Sequence, residues 1–353
     1  MSDSQLTLKQ TNHRVDEWTK HILARVHSNH SILRMMILVV VAFGLFALLS
    51  PRVFLTGLNM QNMLLAVPEI GILAVAMMVA MLTGGIDLSL VSIANLAAIT
   101  ISTSFTALAA HDKALAENLG PALILLALLV GLAAGAVNGF LIAYVGVTPI
   151  LATLGTMQIF NGLAVVWTGG KTLYGSPSGL TLFGKTAIWV IPALFLVFIA
   201  IAGVVAFLIG RTPLGLGLTL EGANPVASRY SGINSRSLLM RSYLLTGLLG
   251  AVAGIVFIAR NPTASADYGA SYVLLVIVIA VLGGTNPNGG FATVAGVFLA
   301  AMTLQVVQSG FTALRLSTFQ YSIAQGAILI TVLIVDQVNW SKVFRRNRRT
   351  SRA

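Results

Sequence analysis

GRTPLGLGLTLEGANPVASRYSGINSRSLLMRS, residues 210–242, separates two runs, 32–209 and 243–335, that are almost wholly apolar. A membrane span needs about 20 predominantly apolar residues. Six such segments precede the quoted stretch, 35–49, 63–82, 90–110, 121–144, 149–168 and 187–209, and four follow it, 243–259, 272–284, 291–310 and 319–335. Only 9% of the residues are charged, against roughly 25% in a soluble domain, and the mean hydropathy is +0.90. The expected fold is therefore all-α: a polytopic membrane protein of about ten transmembrane helices. One long polar loop in mid-chain, carrying Arg211, Arg229, Arg236 and Arg241, points to a soluble partner that meets the membrane domain there.

The distribution of positive charge sets the orientation. Residues 1–31, the 210–242 loop and the tail 339–353, together with Arg34, hold fifteen of the 21 Lys and Arg residues. The other side is expected to hold six, Arg52, Lys113, Lys171, Lys185, Arg260 and Arg315. Both termini and the loop are then cytoplasmic. The net charge of +11 follows from this topology and from anionic lipid headgroups, so no nucleic-acid partner is expected. The absence of cysteine excludes disulfides, thiolate metal sites and cysteine nucleophiles, and is compatible with a bacterial inner membrane.

The chain divides into a polar segment, 1–31, a transmembrane domain, 32–338, and a basic tail, 339–353. In the first of these Val15, Trp18, Ile22 and Val26 recur at helical spacing among basic residues, the pattern of a helix lying on the membrane surface. The first span reads as uncleaved, with Pro51 directly after it. Ten spans divide into five plus five, the arithmetic of an inverted repeat, and Ala80-Met81-Leu82-Thr83-Gly84-Gly85 has a counterpart in Ala280-Val281-Leu282-Gly283-Gly284-Thr285. Gly131, Gly135 and Gly139, and again Gly250 and Gly254, are spaced for close helix packing within the bundle.

Three polar motifs interrupt the apolar pattern. Thr83-Gly84-Gly85-Ile86-Asp87-Leu88-Ser89 breaks the run 63–110, with glycines for a tight turn and Asp87 placed to cap the next helix. Glu221-Gly-Ala-Asn-Pro-Val-Ala-Ser-Arg-Tyr-Ser-Gly-Ile-Asn234 contains a short helix from about Pro225 to Gly232. Val281-Leu-Gly-Gly-Thr-Asn-Pro-Asn-Gly-Gly290 holds Gly283, Gly284, Gly289 and Gly290. Together they resemble the ribose/xylose-type permeases of ATP-binding cassette (ABC) importers, a family that includes autoinducer-2 permeases, over residues 35–338. Residues Gly84, Gly85, Asp87 and Ser89 match the signature, which usually continues Val-Gly-Ser where this chain has Leu90-Val91-Ser92. In the loop motif Arg229, Ser231 and Gly232 match, whereas Val226 stands where the family often has Glu.

The resemblance implies a permease of the bacterial inner membrane that moves a monosaccharide or similar small polyol by alternating access. It implies cassette ATPase subunits docked on the coupling loop through Glu221, Asn224, Ala227, Arg229, Ser231 and Gly232. It also implies a second permease, identical or related, and a periplasmic sugar-binding protein. The chain itself is expected to be no enzyme and to carry no cofactor. Gly169-Gly170-Lys171-Thr172 has Val165 where a P-loop needs its first glycine, and hydrolase and metal motifs are lacking.

A neutral polar cargo would meet uncharged polar groups within the spans. Asn95, Asn138, Asn161, Gln305 and Gln325 are the leading candidates, with Gln158, Gln308 and Tyr321 beside them; each could equally join one helix to another. The alternative function is a stand-alone secondary carrier, which needs a titrating residue in the membrane. Glu69, beside Pro68, and Asp87 are the candidates for it, and Glu69 is read as a helix-terminal or interfacial carboxylate near the outer end of its span.

Overall fold

In the computed structural model, which describes residues 30–337, the chain is a bundle of α-helices with four two-residue strands. The helices are α1 (His30–Leu49), α2 (Pro51–Phe54), α3 (Gly57–Leu82), α4 (Leu90–Ala109), α5 (Lys113–Asn118), α6 (Gly120–Phe140), α7 (Pro149–Thr168) and α8 (Ser178–Lys185). Then follow α9 (Ala193–Arg211), α10 (Pro213–Ala223), α11 (Pro225–Tyr230), α12 (Ser235–Arg260), α13 (Tyr272–Leu282), α14 (Val294–Ala313) and α15 (Thr318–Gln337). The expected surface helix around residues 15–26 and the 339–353 tail lie outside the described residues.

Among the described residues eight helices are long and apolar enough to cross a membrane: α1, α3, α4, α6, α7, α9, α12 and α14. The segment 272–284, expected to be a span, gives α13, which has only eleven residues. At 1.5 Å per residue it rises about 16 Å, half of a hydrocarbon core of about 30 Å. The segment 187–209 is also divided. Ala187–Ile188 and Ile191–Pro192 form a hairpin with Trp189 at its tip, and α9 begins only at Ala193. Pro192 stops the strand and pre-sets the first turn of the helix.

The helix α3 is the axis of the bundle. Every residue from Val67 to Leu82 is buried, and α4, α9, α12, α13 and α14 all pack against it. Helices α6 and α12 approach one another closely. A Cβ at Gly135 would stand 3.1 Å from the Gly247 Cα, and one at Gly139 would stand 3.2 Å from the Met240 Cα. Gly254 faces the Ala94 backbone in the same way, so these glycines serve helix contact within the chain. Faces of α1, α6, α7 and α9 leave large apolar residues exposed, among them Val40, Leu129, Val166 and Phe207. Such faces suit contact with lipid.

Candidate functional site

At the end of the bundle that carries residues 212–234, three turns meet. The first is 83–89. Gly84 has φ +79°, and a Cβ at Gly85 would come within 2.5 Å of the Tyr243 hydroxyl. Asp87 is fully buried. Its Oδ1 accepts from the Ser89 amide (3.1 Å) and hydroxyl (2.6 Å), as a cap does, but its Oδ2 also accepts from Thr246 Oγ1 on α12 (3.0 Å). Ser89 Oγ accepts in turn from Asn138 Nδ2 (2.7 Å), and Asn138 Oδ1 accepts from Thr156 Oγ1 (2.6 Å). One buried chain of hydrogen bonds thus joins α12, the turn, α6 and α7, and Asn138 belongs to it rather than to a cavity.

The second turn is 283–290, in which Gly284, Gly289 and Gly290 all have positive φ. The Gly290 amide donates to the Leu82 carbonyl at the end of α3 (3.0 Å). Gly283 lies on the start of α14, 2.5 Å from the Val297 amide for an added Cβ. The third element is the loop motif. A Cβ at Gly222, near the end of α10, would strike the Leu82 carbonyl and lie 2.5 Å from the Gly290 amide, and one at Gly289 would lie 2.8 Å from both Gly222 and the Gly84 amide. Backbone therefore touches backbone where α3, α10 and the two glycine turns converge. Gly222 was not singled out from the sequence; the only signal was a glycine placed within a helix.

Beyond Gly222 the chain forms α11. Asn224 Oδ1 caps it by accepting from the Val226 and Ala227 amides (both 3.0 Å). At the far end Ser231 Oγ donates to the Ala227 carbonyl (3.0 Å), and Gly232 turns the chain with φ +78°. Glu221 is buried and accepts from the Ser235 hydroxyl (2.9 Å), so it fastens the loop internally. What α11 offers outward is Val226, Arg229 and Tyr230, all exposed, Tyr230 to 90%. A groove of about 410 Å³ between α10 and the start of α12 adjoins it, lined by Leu216, Leu220, Ile233 and Arg241.

Toward the opposite end lies a polar cavity of about 670 Å³, bounded by α3, α14, α15, the end of α12 and the start of α13. Amides from Asn59, Asn62, Gln305, Gln308 and Gln325 line it, together with the Tyr321 and Ser309 hydroxyls. Gln305 and Gln325 thus share one space. Asn95 and Asn161 line another of about 270 Å³, with Gln158 and Asp267. Asn95 Nδ2 donates to the Ala266 and Tyr268 carbonyls (2.7 and 2.9 Å), while among the described residues Oδ1 of Asn95 and of Asn161 has no hydrogen-bond partner.

The larger cavity also holds Glu69 and Arg260, and Glu69 differs from expectation. Glu69 is the thirteenth of the 26 residues of α3, not terminal, and is 1% exposed. Arg260, expected on the side opposite the 210–242 loop, is the last residue of α12, half-buried at the cavity's edge, and places Nη1 3.0 Å from Glu69 Oε2. Tyr268 Oη donates to the same carboxylate, 3.2 Å from Oε1 and 3.3 Å from Oε2. The partners lie 191 and 199 residues away in the chain, which is why sequence spacing gave no hint of them.

A helical bundle with lipid-suited outer faces, a polar cavity toward one end and a capped, exposed helix at the other has the architecture of a multi-pass membrane protein, and with the family below it is a permease of the inner membrane. Comparison with known proteins gives the same class. Residues 59–333 match the family described as branched-chain amino acid transport system / permease component, and the chain belongs to that family, within it to the ribose/autoinducer-2-type ABC permeases. It is 32% identical over 306 residues to the autoinducer 2 import system permease protein LsrD of Yersinia enterocolitica, covering 84% of this chain and 88% of the relative. It is 30% identical to LsrD of Photorhabdus laumondii, over 89% of this chain and 96% of the relative. To LsrC of Y. enterocolitica it is 32% identical, over 75% and 71%. No solved structure matches.

Proposed function

We propose that this chain is the membrane subunit of an ATP-driven importer for a small, uncharged, polyhydroxylated solute: a monosaccharide, or a furanosyl compound such as the autoinducer for which its relatives are named. ATPase subunits dock on α11 from the cytoplasm, and a periplasmic sugar-binding protein delivers the solute. A second permease, either a copy of this chain or a related one, completes the pathway. Similarity to both LsrC and LsrD is compatible with either pairing. The chain needs no cofactor of its own.

The observation that carries this reading is the backbone contact at Gly222. An ATPase that moves α11 pushes α10 against the end of α3 and the 283–290 turn, because no flexible side chain lies between them to absorb the displacement. Rigid backbone contacts transmit such a shift, and the free energy comes from the ATPase binding one arrangement of the membrane helices better than the other. The amide- and hydroxyl-lined cavity supports a hydroxylated cargo, since both group types donate and accept. The secondary carrier gains nothing from the geometry: Glu69 is engaged by an arginine and a tyrosine.

Purification from the native membrane in mild detergent, with ATPase activity assayed on the same sample, tests the proposal. A cassette ATPase should accompany the chain, in a ratio that reveals how many permeases share it. A permease that emerges without any ATPase, in detergent that preserves other ABC complexes, contradicts it.

A further inference from the structure

The larger cavity holds two sources of positive potential. Arg260 is 27% exposed at its edge. The first turn of α13, at Ser271 and Tyr272, also lines it, and a helix N-terminus favours negative charge. Left alone, these would make an anion site. The only other charged residue among those described in the lining is Glu69, and it is buried with its carboxylate held between Arg260 and Tyr268. Burying the carboxylate of an ion pair is a poor stabilising device, because its desolvation consumes much of the attraction. An apolar pair would serve packing as well, so the pair points to a role in the cavity itself.

We propose that Glu69 sets the charge selectivity of this cavity: by neutralising Arg260 it keeps an amide-lined space from taking anions and leaves it to uncharged polyhydroxylated solutes. Sugar acids and sugar phosphates are the excluded class. The inference rests on reading the cavity as part of the solute path, but its electrostatic content can be measured without transport.

The chain has no cysteine, so a single one introduced at Gln308 or Thr312, both exposed and both in the lining, is a specific reporter. On the purified full chain, rates of modification by an anionic methanethiosulfonate (sulfonatoethyl) and a cationic one (trimethylammonioethyl) are compared. E69Q should raise the anionic-to-cationic rate ratio by about tenfold or more, the effect of an uncompensated charge in the same partly desolvated space. E69Q/R260Q should restore the starting ratio. R260Q alone should move the ratio the other way, and it serves where E69Q does not fold. An unchanged ratio in both single variants overturns the proposal, as do reporters that neither reagent reaches. In vesicles carrying the whole importer, whose binding protein delivers the solute, sugar uptake by the unaltered protein tests the transport reading separately. Vesicles that take up no sugar while the ratio shifts as expected would refute the transport reading and leave the charge assignment standing.

Discussion

Asp87 and Gly222 each hold the junction of turns together, for different reasons. Asp87 closes a turn and receives a hydroxyl from α12, so its value lies in accepting hydrogen bonds rather than in carrying charge. Asn can reproduce this: its Oδ1 keeps the Ser89 donors, and its Nδ2 can donate to Thr246, whose hydroxyl also reaches the Tyr243 carbonyl (3.1 Å). Asp87→Asn is therefore expected to cost about 1 kcal/mol or less, and Asp87→Ala about 2–4 kcal/mol, since alanine leaves several buried donors unpaired. Thermal unfolding of the purified variants checks the order, and uptake retained in Asp87→Asn would also dismiss Asp87 as a proton carrier. Gly222→Ala places a methyl group against the Leu82 carbonyl. Overpacking of that kind costs about 1–3 kcal/mol. Its specific consequence should be uncoupling, with the ATPase still bound but ATP-driven uptake reduced at least tenfold; unaltered uptake would show that the contact transmits nothing.

Among the elements, α11 presents the exposed docking face and α13 is the helix whose length departs from the sequence pattern. The exposed Val226 and Tyr230 on α11 make no demand on the bundle, so Tyr230→Asp should change stability by about 0.5 kcal/mol or less. As an aromatic anchor in a docking surface, the same residue should weaken ATPase retention at least about tenfold, measured by co-purification at matched membrane expression. The half-length α13 ends as α3 does. Gly84 N–H donates to the Met81 carbonyl and Gly85 N–H to Ala80, while Gly284 N–H donates to Val281 and Thr285 N–H to Ala280. This is one helix-closing motif used at positions 200 residues apart, so the likeness between 80–85 and 280–285 in sequence is a likeness of backbone as well. What the sequence concealed here was length. The apolar run from 272 to 284 reads as a span, and only the polar loop before it, descending beside Asn95 to place Tyr268 on Glu69, shows why a shorter helix suffices.

For the whole molecule, the apolar segments were legible because burial in lipid demands long uniform runs, and the glycine turns because a positive φ demands that residue. The grouping of polar side chains was not. Gln305 and Gln325 reach one cavity, Asn95 and Asn161 another, and Asn138 a hydrogen-bond chain between helices; an isolated amide in an apolar run reads the same in all three settings. The central claim is that an external ATPase, acting through the 210–242 loop, drives this bundle. The most direct test is uptake of radiolabelled sugar by proteoliposomes containing the co-purified complex and its binding protein, with ATP supplied or withheld and a protonophore present or absent. Uptake should stop without ATP, continue with the protonophore and be lost in Tyr230→Asp. Uptake that proceeds without ATP and collapses with the protonophore would contradict the claim.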